Sequence, residues 1–219
     1  MALMSLLMMT AAYGYSFIAE NWQRNQAGYN KQIQAYIDWQ LVQEASQNIV
    51  PKLVYSEAPV RHFQGIPSAG FYFLGRDNGF TAYTAQSVQD PEAPAVFRLF
   101  REPDEKRPEH WQLVYEEAAL NKVNLQHASQ QLPFNFRRVL AQDLTNLTFT
   151  YQAWPSLAER MKFETENYSA KPELPWHSEF DGLSAAQHPL AISIVFNQQH
   201  WKIDIADLGY KQLAQLTTE

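Results

Sequence analysis

The amino-acid sequence predicts an α+β fold, one long N-terminal helix packed on an antiparallel β-sheet domain. Three observations carry that expectation. Residues 1–19 hold no charge and pass, with no Pro, into a polar stretch that keeps helical spacing to Asn48. Pro51 then makes Val50 a poor helical residue and ends the period. Beyond it, short alternating runs separated by turn residues take over. The expected division is 1–50 for the helix, apolar over 1–19, and 51–219 for a β-rich globular domain.

The uncharged run admits three readings. A cleaved secretory signal lacks the basic n-region that such signals carry. A plain buried core helix leaves the continuity with the polar half unexplained. The favoured reading is the membrane-embedded first half of a longer helix. Nineteen residues at 1.5 Å each give roughly 28 Å, close to the hydrocarbon thickness of a bilayer. Ser5, Thr10, Tyr13, Tyr15 and Ser16 dilute the run. In the polar half only Gly28 weakens the helix, by about 1 kcal/mol. Tyr29, Ile33, Tyr36, Ile37 and Leu41 recur at three- and four-residue spacing and form the expected helix-to-sheet packing stripe. If that stripe is buried, Asp at both Ile33 and Ile37 unfolds the domain.

The strands follow in order. Leu53–Tyr55 opens the domain. Phe71–Leu74 and Phe80–Thr84 flank Arg76-Asp77-Asn78-Gly79, a strong hairpin signal. Ala95–Phe100 and Trp111–Glu116 form the next pair, around a charged, Pro-flanked loop. Leu132–Leu140 reads as a strand or connector. Leu144–Tyr151 alternates clearly through Leu147, Phe149 and Tyr151. Residues 155–189 read as an extended loop or small excursion. Leu190–Phe196 and His200–Ile205 close a last hairpin, and Leu208–Glu219 forms a short tail helix.

Composition excludes several functions. The net charge of −6, from 17 Lys and Arg against 23 Asp and Glu, argues against a nucleic-acid surface. The absence of Cys rules out disulfides, thiol catalysis and Cys-based zinc sites. The six histidines, at 62, 110, 127, 177, 188 and 200, show no metal-ligand spacing and read as scattered exposed residues. Asp77, Asn78 and Asp90 read as turn residues rather than calcium ligands. Glu116 and Glu117 are strand neighbours facing opposite sides, so a structural role is expected rather than an acid/base pair. The Asn146-Leu147-Thr148 and Asn167-Tyr168-Ser169 glycosylation patterns read as coincidence. Trp154, Trp176 and Trp201 could stack on sugars, but core or interface anchoring is preferred. No catalytic residue, cofactor, metal or small-molecule substrate is expected.

Several segments together resemble the type IV pilin-like proteins, and most closely the J-type minor pseudopilin of the type II secretion system. These are ALMSLLMMTAAYGYSF, AYIDWQLVQEASQNIVPKLV, FLGRDNGFTAYTAQSV, LAQDLTNLTFTYQAWP and HPLAISIVFNQQHWKIDI. The resemblance implies a pilin-like fold and a structural subunit of a secretion filament. It implies a single-pass anchor in the bacterial inner membrane, with the domain in the periplasm. Its partners would be the I- and K-type minor pseudopilins at the filament tip. Leu3, Leu6, Leu7, Ala11, Gly14 and Phe17 would line the assembly helix, where small residues allow close approach. The family's leader, cleavage glycine, following aromatic and early glutamate are absent from this sequence: either they lie upstream of Met1, or the chain is not processed by a prepilin peptidase. A minor pilin of a type IV pilus and a membrane-tethered binding module, in which Trp residues hold a carbohydrate, are the alternatives.

Overall fold

The structure, a computed structural model, describes residues 2–56, 69–121, 123–166, 172–209 and 212. Helix α1 spans Ala2–Gln47. Twelve strands follow: β1 (Leu53–Tyr55), β2 (Ala69–Phe71), β3 (Phe73–Arg76), β4 (Gly79–Thr84), β5 (Ala95–Pro103), β6 (Trp111–Ala119), β7 (Phe136–Leu144), β8 (Leu147–Gln152), β9 (Trp176–His177), β10 (Phe180–Asp181), β11 (Ala191–Phe196) and β12 (Gln199–Asp204). Two short helices, α2 (Leu157–Thr165) and α3 (Gly182–Ala185), interrupt them.

The expected fold class needs correction. Among the described residues the chain is mostly β, with three sheets: β1-β2, a six-stranded sheet in the order β10-β3-β4-β5-β6-β7, and a four-stranded sheet in the order β12-β11-β8-β9. The pilin-like arrangement, an apolar helix packed along one sheet, is not found. No helix of the described residues is long and apolar enough to cross a membrane. That overturns the single-pass inner-membrane anchor expected of residues 1–19. The physical reason is the dilution of the run by hydroxyl and tyrosyl side chains, which resist transfer into hydrocarbon.

The chain divides into two compact units, Met1–Gln40 and Leu41–Glu219. Only the last two turns of α1 belong with the sheets. There Leu41, Val42 and Ala45 are buried, and Ile49 forms an isolated bridge with Thr84. Tyr36 is 61% exposed and Ile37 41%. Ile37, partly exposed, does not by itself carry the unfolding expected of the Asp pair, and the side chains of Tyr29 and Ile33 lie outside the described residues.

The core of the larger unit forms where rings of the two larger sheets meet. Alternation puts Phe80, Phe97, Phe149 and Tyr151 on the facing sides. Phe73 stacks on Phe80 at 5.6 Å and meets Tyr151 edge-on at 5.8 Å. The Tyr151 hydroxyl lies 2.8 Å from both the Arg76 and the Gly79 carbonyl oxygens and ties one sheet to the other. Across the opposite face of the six-stranded sheet, Tyr72 and Val96 pack with Val54, Leu120 and Leu125 in a second cluster.

Gly79 begins β4 at φ +148°, a conformation that an L side chain rarely adopts. A Cβ there would lie 2.4 Å from the Leu99 carbonyl oxygen, in backbone that cannot move aside. Gly79→Ala is expected to lower stability by at least about 2 kcal/mol. Urea denaturation checks this, and an unchanged midpoint would refute the close approach.

Candidate interaction surface

Register decides which side chains share the outer face of the six-stranded sheet. Leu74 lies opposite Thr81, and Thr81 opposite Arg98. Arg98 then lies opposite Glu116, and Glu116 opposite Arg137. The next row holds Arg76, Gly79 and Phe100. A trough of about 490 Å³ runs over these rows, with Leu74 and Phe100 among its lining.

Its charges are organised by contact. Glu116, with its side chain 9% exposed, takes the Arg98 Nε–H at 2.5 Å and the Arg137 Nη1–H at 2.7 Å. Arg137 also pairs with Glu102. Hydrogen bonds to Glu102 and then Glu116 push the Arg137 guanidinium further up from its ordinary value. The Arg98 guanidinium lies 4.3 Å from the Phe134 ring centre and 5.2 Å from that of Phe100. These ring contacts fix its orientation.

Glu117 faces the other way, as strand alternation requires. It is fully buried. Its carboxyl oxygens accept from the Ser87 hydroxyl, the Tyr115 hydroxyl (2.5 Å), the Val88 N–H (3.1 Å) and the Gln89 N–H (3.3 Å). Burial first, and the Glu117 charge second, push the Tyr115 phenol upward. The two neighbouring glutamates are thus structural: one organises the outer face, the other pins the loop after β4.

Other polar groups also find local partners. Asp143 adopts φ +60° and pairs with Arg107 at 2.8 Å and with His110. The His110 hydrogen bond is the largest cause holding the Asp143 carboxyl below the usual range. Asp104 is held low mainly by the Asp143 N–H and next by the Lys106 N–H. Ser193 Oγ lies 2.8 Å from His200 Nε2 across β11 and β12. Arg160, 1% exposed, bonds Glu164 at 2.8 Å and Asp207 at 2.6 Å. Asp77 pairs with Arg101 at 3.2 Å, in keeping with a turn role. Among the described residues no acidic or histidine cluster could hold a metal.

His188 corrects the expectation of scattered exposed histidines. It is buried against Phe73, ring centres 5.3 Å apart, and neither ring nitrogen has a partner among the described residues. Desolvation alone lowers it to about 3. His62 lies outside the described residues. Trp154 is buried against Phe163, Trp201 packs edge-on against Phe196 at 4.5 Å, and Trp176 is 42% exposed. Asn146 Oδ1 accepts the Asn197 N–H at 2.7 Å. The second glycosylation pattern, at Asn167, lies outside the described residues.

On the expected assembly helix, Gly14 and Phe17 are exposed. The side chains of Leu3, Leu6, Leu7 and Ala11, like those of Tyr29 and Ile33, lie outside the described set. Met4, Met8, Met9, Tyr13, Tyr15 and Trp22 join Phe17 at 62–78% exposure. The outer-face charge row is the feature that reading the sequence misses: Arg98, Glu116 and Arg137 come together only through strand register.

Comparison with protein-family models, curated proteins and solved structures finds no match.

Proposed function

We propose that the chain is a structural subunit that works by assembling with other proteins. The observation that carries this reading is the set of large apolar side chains exposed around α1. Met4, Met8, Met9, Tyr13, Tyr15, Phe17 and Trp22 are each at least 62% exposed. Exposed apolar surface on this scale marks a contact site. The sequence resemblance supplies the assembly: the tip of a type II secretion pseudopilus, with I- and K-type minor pseudopilins as partners. Helix-on-helix contact, with Gly14 allowing close approach, is the mode proposed.

Co-expression with I- and K-type minor pseudopilins, followed by size-exclusion chromatography, tests the reading. A stable complex is expected with the native chain. Met8→Asp with Phe17→Glu is expected to weaken that complex at least tenfold while near-ultraviolet circular dichroism of the β-rich unit stays unchanged. A complex indifferent to both substitutions, or no complex at all, would overturn it.

A further inference from the structure

Large apolar side chains recur on α1 at a fixed period of seven. Met8, Tyr15, Trp22 and Tyr36 are each at least 61% exposed, and Tyr29 completes the series in the sequence. On a straight helix a seven-residue row drifts by about 20° per repeat, and it keeps one face only when helices wind around each other left-handedly. The row therefore has the period of a coiled-coil seam. With its members at position a of each heptad, the charges of this helix fall off the seam. Arg24, Lys31 and Asp38 stand at c and Glu20 at f, and no charged residue stands at a, d, e or g between residues 2 and 40.

We infer that α1 pairs with α1 of a second copy of this chain, parallel and in register. The inference rests on the reading of α1 as an assembly helix and names the partner of one of its faces. Three observations select a second copy. The helix supplies both halves of the packing: Gly14, Gly28 and Ala35 stand directly before Tyr15, Tyr29 and Tyr36 and leave holes beside the knobs. At Gly14 the space that a side chain would fill is open. The e and g positions, whose charges set partner choice in coiled coils, are uncharged, so they neither repel an identical helix nor select a charged one. The area also suffices. Aromatic side chains bury about 150–250 Å² each. Tyr15, Trp22 and Tyr36 of two copies, with Met4 and Met8, reach the range of about 1,200–2,000 Å² found in stable interfaces. Asn25 and Gln32, at d, set the direction. In a parallel pair each meets its own counterpart, an amide able to donate and accept, which is how a polar seam residue fixes register. Antiparallel pairing about Trp22 sets them opposite Ala19 and Ala12, with no polar partner. Tyr13 and Phe17, at f and c, lie off the seam and stay free for other contacts.

Sedimentation equilibrium of the full chain alone tests the pairing, with a mass of twice 25.3 kDa expected. Tyr15→Asp with Trp22→Asp is expected to weaken the dimer at least tenfold. Tyr13→Asp with Phe17→Asp, off the seam, is expected to leave it within threefold. The sequence has no cysteine, so single introduced thiols report the direction. Tyr15→Cys is expected to form a disulfide-linked dimer in air, because position 15 meets its own counterpart only in the parallel register. Phe17→Cys is expected to stay unlinked. Should the seam Asp pair lose helix by far-ultraviolet circular dichroism, the two thiol variants decide. A monomer at every concentration would overturn the inference, as would equal losses from the two Asp pairs or equal linking at 15 and 17. No minor pseudopilin enters these measurements. A chain that stays monomeric yet binds I- and K-type partners ends this inference and keeps the assembly reading, and a self-pairing chain that binds neither does the reverse.

Discussion

Replacing Glu117 by Leu is expected to lower the unfolding free energy by about 3–5 kcal/mol, the range for removing one partner from a buried polar network. Leu fills similar space, so the cost is not a cavity. It arises from three donors that lose their acceptor: the hydroxyls of Ser87 and Tyr115 and the main-chain N–H of Val88. The hydroxyls can rotate toward other acceptors. The Val88 N–H belongs to the loop between β4 and β5 and can be satisfied only if that loop opens to water, and an unpaired buried donor costs about 1–3 kcal/mol; the Gln89 N–H keeps the Ser87 hydroxyl oxygen at 3.1 Å. Glu117→Gln keeps one oxygen and is expected to cost about half as much. Tyr115→Phe removes a single donor and is expected to cost about 1 kcal/mol. Urea denaturation of the three variants checks the ranking Leu above Gln above Phe. A Leu variant no weaker than the Phe variant would show that the loop does not depend on this carboxyl. Proteolysis offers a second reading, since a loosened loop is cut first.

The sheets were largely legible because their signals are local. Asp77-Asn78-Gly79 marked the β3–β4 turn, and the alternation Leu147, Phe149, Tyr151 placed β8 within a few residues. The last hairpin also matched, with Asn197 at φ 42° and Gln198 at φ 68° making the turn. Segments whose burial is polar were not legible. Helix α2 lies inside the stretch read as loop because its buried residue is Arg160, held by Glu164 and Asp207 rather than by an apolar stripe. Strand β7 starts four residues later than expected, and two register irregularities against β6 blur its alternation. The outer-face alternation of charge was illegible for a third reason. Arg98 and Glu116 are 18 residues apart, and Glu116 and Arg137 are 21. The N-terminal helix misled in the other direction. Its length and lack of charge were read correctly, but lack of charge is not apolarity, and its tyrosines and hydroxyls bring it below what a membrane span requires.

Acidification from pH 7.5 to 5 is expected to destabilise the larger unit by about 2 kcal/mol through His188 alone. In the folded chain its imidazole titrates near 3, depressed by burial, against about 6.5 when unfolded. Between those values the unfolded chain binds the extra proton, so stability is full above about pH 6.5 and falls as pH drops toward 3. The slope inside that window approaches 1.36 kcal/mol per pH unit. The depressed carboxyls of Asp104 and Asp143 act in the same direction but lower, from about pH 4 downward, so the two effects separate. Arg160 and His188 line the same small pocket. His188→Phe retains an edge-on aromatic contact with Phe73 and removes two ring nitrogens that have no partner among the described residues. That variant is expected to match or exceed the native chain at pH 7.5, because an unpaired buried polar group is lost. Its stability is expected to stay within about 0.5 kcal/mol from pH 7.5 to 5, the scatter of an ordinary surface change. Urea denaturation of both chains at pH 7.5, 6 and 5 makes the comparison. Two curves that fall in parallel would assign the acid sensitivity to other groups and remove His188 from the account.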